Sequence, residues 1–115
     1  MTYKQVSQMI SEIGIPYAYN EFADDTEIAP PFICFMFTNS SNDFMADNKN
    51  YQAIRPLAIE LYTDNKDFAL EEALESKLIE NEIPFIRQET YLDGEQMFMV
   101  VYTTQIVIEG ENDNG

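Results

Sequence analysis

Two hydrophobic rhythms alternate along the chain. Val6, Met9, Ile10 and Ile13 recur at helical spacing and predict a helix over 2–13. Thr2 followed by Gln5 has the spacing of a capping box, and Gly14 with Pro16 supplies the stop. Residues 17–22 read as a short strand. Residues 32–38 are almost wholly apolar and rich in phenylalanine, the pattern of a central strand buried on both faces. Over 51–63 the period becomes two, with Leu57, Ile59 and Leu61 on one face and Ala58, Glu60 and Tyr62 on the other. Pro56 cannot donate to a ladder, so an edge or a bulge is expected there. Helical spacing returns over 68–81 in Leu70, Ala73, Leu74, Lys77 and Leu78, with Lys77 at the edge of the stripe. Asp67, Glu71 and Glu72 lie at the start of that helix, where its dipole favours acids. Segments 85–92 and 97–108 flank Asp93-Gly94, the strongest hairpin signal in the chain.

The intervening stretches are loops: acidic 24–31 ending in Pro-Pro, polar 39–50, and 64–67 with the second helix's N-cap. The order is α-β-β-β-α-β-β. It predicts an α+β fold with an antiparallel or mixed sheet of about five strands and two helices on one face. Residues 1–108 form a single domain in this reading, and acidic 109–115 is a disordered tail. Both helices leave through Ile-Pro-aromatic, Ile15-Pro16-Tyr17 and Ile83-Pro84-Phe85, two solutions to the same stop-and-restart problem rather than a duplication. At about 3.4 Å per residue the last strand would span about 40 Å, so it is expected either to bend or to pair its end with another chain.

Composition narrows the chemistry. The 115 residues contain no histidine, which removes Ser-His-Asp and Cys-His nucleophile pairs and most zinc sites. The lone Cys34 lies in the apolar run and reads as a small buried hydrophobe. Four scattered glycines make no phosphate loop. Asp24, Asp25 and Glu27, and Asp43 with Asp47, are the best-placed acids for a hard cation. Neither group has the calcium-loop spacing, and both read as solvated loops. No catalytic residue, cofactor or metal is expected. Six basic residues against twenty-one acidic ones give a net charge of −15. Such a surface repels phosphate and disfavours direct nucleic-acid recognition. Its acidity serves solubility, or makes a wall past which a polyanion slides without sticking. No run is long and apolar enough for a membrane span, and no signal peptide is visible, so an intracellular setting is expected. Within the polar loop, Phe44 and Met45 are large apolar side chains that something must cover. Either they anchor the loop on the domain's own core or they form a partner-binding tip, with Asp43 and Asp47 beside them.

Several of these segments together resemble a known family. Pro30-Pro31-Phe32-Ile33 leads into a strand, followed by Asp43-Phe44-Met45-Ala46-Asp47-Asn48-Lys49-Asn50-Tyr51. Then come Leu57-Ala58-Ile59-Glu60-Leu61-Tyr62-Thr63 with Lys66-Asp67, a Glu-Leu-rich helix, Ile83-Pro84-Phe85 and a Glu-rich hairpin. From Tyr3 to Ile108 this is similar to the small head–tail joining proteins of siphophages and prophages, above all the tail terminator (tail completion) proteins. The resemblance implies an α+β subunit of a hexameric ring on the head-proximal end of the tail tube. Such a ring stops tube polymerisation and docks to the head connector or stopper. It implies partners in copies of itself and the major tail tube protein, and no cofactor. Its location would be the host cytoplasm before assembly and the virion neck afterwards. The free chain can be monomeric, since acidic subunits repel. Another neck component or a tail assembly chaperone fits the same resemblance. A small ligand-binding regulatory domain, or an anti-restriction DNA mimic suggested by the charge alone, are readings from other classes.

Overall fold

The structure, a computed structural model, describes residues 1–22, 28–38 and 53–108. Helix α1 spans Tyr3–Ser11, followed by strands β1 (Tyr17–Tyr19), β2 (Phe32–Phe37) and β3 (Ala53–Thr63). Helix α2 (Phe68–Glu80) and strands β4 (Ile86–Leu92) and β5 (Met97–Ile108) complete the order. The expected fold class is what the chain adopts: one five-stranded sheet, ordered β1-β2-β3-β5-β4, with α-β-β-β-α-β-β connectivity. The sheet is mixed. β1 runs parallel to β2, and every other neighbouring pair is antiparallel.

Local signals set the helix ends. At α1 the Gln5 amide donates to Thr2 Oγ1 at 3.1 Å, and the Thr2 amide donates to Gln5 Oε1 at 2.9 Å, a complete capping box. At α2, Asp67 Oδ1 accepts from the Leu70 amide at 3.0 Å. The two exits share one device. Gly14 (φ 91) and Glu82 (φ 58) each take the left-handed conformation one residue before the Ile-Pro-aromatic step. At α2 the Ile83 amide donates to Leu78 O and the Glu82 amide to Ile79 O, both at 2.9 Å, which is a Schellman closure.

Registry assigns the faces. Ile33, Leu61 and Val100 lie in one row across β2, β3 and β5, and Phe35, Ile59 and Tyr102 in the next. Both helices pack on this face: Val6, Met9 and Ile10 from α1 and Leu74 and Leu78 from α2 join those strand residues in one buried core. Lys77 Nζ donates to Glu12 Oε1 at 2.8 Å, tying α2 to the end of α1.

Four expectations are decided by register and packing. Residues 57–61 alternate as read, but Pro56 makes no bulge, since β3 keeps register with β5 from Ala53↔Ile108 to Thr63↔Phe98. The Thr38 amide donates to Pro56 O at 3.0 Å just past the end of β2, so the proline's missing donor faces a place where the neighbouring strand has finished. Nor does β5 need another chain along its length; its far half pairs with the near half of β3. The hairpin strands end and restart where expected, around the Asp93-Gly94 signal. Leu92 pairs with Met97, the loop is Asp93–Gln96, and the positive φ of 55° falls on Gln96 instead of Gly94. On α2, Ala73 is exposed and Glu71 buried, so the buried stripe is Glu71, Leu74 and Leu78.

Glu71 is 3% exposed and is held by two cations. Lys66 Nζ donates to its Oε2 at 2.6 Å and Arg87 Nη2 to its Oε1 at 2.5 Å. Arg87 Nε lies 3.2 Å from Glu75 Oε2, which also accepts from the Tyr102 hydroxyl at 2.8 Å. Lys66 reaches on to Glu89 at 2.7 Å. This network stitches α2 to β4 and β5. The hydrogen bond that Arg87 donates to Glu71 raises Arg87 further above its ordinary value, and the bond from Lys66 holds Glu89 below the usual carboxylate range. Its acids and bases satisfy one another, and its role is structural.

Candidate interaction surface

Alternation along the strands places a second set of side chains on the face away from the helices. Phe32, Tyr62, Met99 and Thr90 form one row across it. Cys34, Glu60, Val101 and Gln88 form the next, then Met36, Ala58, Thr103 and Ile86. Phe22 meets the Phe32 ring edge-on at 5.5 Å, and beyond that corner no described element packs on this face. Its middle is apolar: Phe32, Met36, Ala58, Tyr62, Met99 and Val101 are half-buried, and Ile86 at its margin is 68% exposed. A face built this way has apolar surface of the kind that packs a helix, and no described helix lies on it.

The corner near β1 is concave. A groove of about 520 Å³ runs over Phe22, Phe32, Cys34, Met36, Tyr62 and Met97, with Glu60 at its side. The Tyr62 ring stacks on Phe32 at 4.8 Å, and its hydroxyl donates to Glu60 Oε1 at 2.7 Å. Burial first, then the Glu60 carboxylate, raises the Tyr62 phenol above its ordinary value. Burial is also the largest cause of the raised Cys34 thiol, with the charges of Glu60 and Glu21 adding to it. Cys34 is 6% exposed and stays a protonated thiol at neutral pH, which suits packing and opposes nucleophilic attack.

The edges of the sheet differ. β1 is only three residues long, a short edge that offers little ladder to a foreign strand. β4 is a seven-residue edge, exposed for most of its length and carrying Arg87 and Glu89, charges that discourage edge-to-edge pairing.

Of the residues singled out from sequence, Asp43, Phe44, Met45 and Asp47 lie outside the described residues, as do Asp24, Asp25, Glu27 and the 109–115 tail. Cys34 is where its apolar context places it. Among the described residues no group of three or more acids, cysteines or histidines is arranged to hold a metal ion. None of the described helices is long and apolar enough to cross a membrane. The open face was missed as a surface because 32–37 reads as buried on both sides. The signal that finds it is the row of large residues Phe32, Met36, Tyr62 and Met99, which come to one face once the strands are put in register. Comparison with known protein families, curated proteins and solved structures finds no match.

Proposed function

We propose that this protein is an assembly subunit of a phage tail, a tail terminator. In this reading it forms a ring on the head-proximal end of the tail tube, stops polymerisation there and docks to the head connector. The resemblance of residues 3–108 to that family supports the reading, and one geometric observation carries it: an apolar sheet face opposite the helices that no described element covers. Such a face is made to be covered by another protein surface. The facing surface must bring a donor or a cation to Glu60, the one carboxylate in the middle rows, whose described partner is the Tyr62 hydroxyl.

The charge of −15 sets the conditions of assembly. Acidic subunits repel, but exposed charges more than about 8–10 Å apart are largely screened at physiological salt. A ring therefore rests on apolar contact and grows with ionic strength, while DNA passes an acidic wall without adhering. Sedimentation is expected to show more oligomer at high salt than at low salt, and Met99→Asp is expected to abolish that oligomer without moving the melting temperature. In induced cells lacking the gene, electron microscopy should show abnormally long tails. Tails of normal length, or a chain that stays monomeric at every salt and is not recruited by tail tubes, would reject the proposal. A tail assembly chaperone is separated by its preference for free tail subunits over tube ends.

A further inference from the structure

Three of the described cations sit on carboxylates: Lys66 on Glu71 and Glu89, Lys77 on Glu12, and Arg87 on Glu71 and Glu75. Arg55 breaks that pattern. It projects from β3 on the helix-covered side, is half-buried, and its Nη1 donates to the Tyr3 hydroxyl at 3.0 Å. Among the described residues no carboxylate meets it. In a chain with twenty-one acids, a partly buried guanidinium whose described partner is a phenol is out of keeping with the rest of the described surface.

Arg55 borders a cleft of about 440 Å³ between the first turns of α1 and the β1 side of the sheet, shared with Tyr3, Ser7, Tyr19, Phe35 and Phe37. Phe35 and Phe37 give it an aromatic floor, with Tyr3 edge-on to Phe37 at 4.9 Å and Tyr19 edge-on to Phe35 at 5.3 Å. Its polar groups all face one way chemically. Tyr3 accepts from Arg55, and Tyr19 accepts from the Phe37 amide at 3.1 Å, so each phenol keeps its own O–H free to donate. The Ser7 hydroxyl and the remaining guanidinium N–H groups complete a rim of donors, and among the described residues no acid lines the cleft.

A rim of donors with one cation over an aromatic floor selects an anion with acceptor oxygens on a compact apolar body. The planar guanidinium matches a carboxylate in two-pronged geometry. One cation cannot offset the repulsion between a chain of −15 and a polyphosphate, which sets nucleic acid aside. We propose that this cleft binds a carboxylate carried on a compact apolar group, either a small free acid or the C-terminal carboxylate of a polypeptide ending in an apolar residue. The site lies on the opposite side of the sheet from the open face and stands independently of the assembly reading.

Nitrogen–proton correlation spectra of the full chain test this with four probes: benzoate, benzamide, a short peptide ending in phenylalanine, and the same peptide amidated. Benzoate is expected to shift the Arg55 Nε–H resonance saturably, and benzamide to leave it in place. Arg55→Gln should weaken benzoate about tenfold or more, equivalent to about 1.4 kcal/mol. Tyr3→Phe, which keeps the ring and reads the same site should Arg55→Gln unfold, should weaken it about threefold with an unchanged melt. The free-acid peptide binding more tightly than benzoate, with the amide silent, assigns a polypeptide terminus. Benzoate binding without the peptide assigns a small acid. An Arg55 resonance indifferent to benzoate, an equal response to benzamide, or unaltered binding by either variant would overturn the proposal.

Discussion

One sheet serves two opposite purposes. On the helix side, Ile33, Phe35, Leu57, Ile59, Leu61, Val100 and Tyr102 are closed off by α1 and α2 and form the core. On the other side, Phe32, Met36, Tyr62, Met99 and Val101 have similar apolar content but no described helix to cover them. Each face also holds a carboxylate at a strategic point. Glu71 is clamped by Lys66 and Arg87, while Glu60 is met by the Tyr62 hydroxyl. The difference teaches that apolar composition alone does not mark a core. What separates the faces is which of them the helices cap and where the compensating cations were placed.

The comparison can be broken first by truncation. Ile59→Ala on the covered face is expected to cost about 3–4 kcal/mol in urea unfolding, because a buried side chain is lost and a cavity remains. Val101→Ala on the open face is expected to cost under about 1 kcal/mol. Equal losses would mean that the open face is packed within the monomer.

The two carboxylates come next. Glu71→Ala leaves two cations facing a desolvated gap, and a loss of about 2–3 kcal/mol is expected, reduced from the fully buried case because Lys66 and Arg87 can still reach water. Glu60→Gln keeps an acceptor for Tyr62 and should stay within about 0.5 kcal/mol of wild type. A Glu60 change as costly as the Glu71 change would show that the open face carries structural electrostatics of its own.

Alkaline titration sharpens the same contrast with a smaller effect. Tyr62 on the open face and Tyr102 in the core both have phenols raised from 10.0, burial being the largest cause and the hydrogen bonds to Glu60 and Glu75 the next. A raised folded value means that their contribution is fully present below the unfolded value and is lost as pH rises past it. Lys66 and Lys77, raised from 10.5, add to the same limb. Stability measured near neutrality and at about pH 11 should therefore fall, and Tyr62→Phe should make the fall shallower. An unchanged slope in that variant would place the whole alkaline limb on the core side.

The smallest effect concerns the paired helix exits under the covered face. Glu82 holds a left-handed conformation that Gly14 adopts without strain. Glu82→Gly is expected to raise stability by about 0.5–1 kcal/mol, and Gly14→Ala to lower it by about 1 kcal/mol, in thermal or urea melts. Opposite signs at the two sites confirm one device used twice.

Much of this fold was legible because its signals are local. Thr2 and Gln5 cap α1 three residues apart, Asp67 caps α2, and the period-two pattern of 57–61 names the covered face of β3. What escaped sequence reading depends on partners far along the chain. Glu71 reads as an N-terminal helix acid, yet it continues the Leu74 and Leu78 stripe, and the approach of Lys66 and of Arg87 from β4 makes its burial tolerable. The hairpin and its strand ends were legible, but not that Gln96 instead of Gly94 supplies the left-handed residue. The Arg55 cleft joins α1 to β3 and has no signature in either segment. For the surface, the residues chosen from sequence fall outside the described part of the chain, and the open face emerges only from register.

The position of β5 has a consequence for how the chain comes into being. It is the last of the described strands but lies inside the sheet, between β3 and β4, and it contributes Val100, Tyr102, Ile106 and Ile108 to the core. Until it arrives, β3 and β4 have no common neighbour and Leu74 and Leu78 of α2 have half a floor. A nascent chain on the ribosome therefore cannot close its core piecemeal. Folding waits for β5 and then runs as one cooperative step, paced by strand pairings between residues distant in sequence.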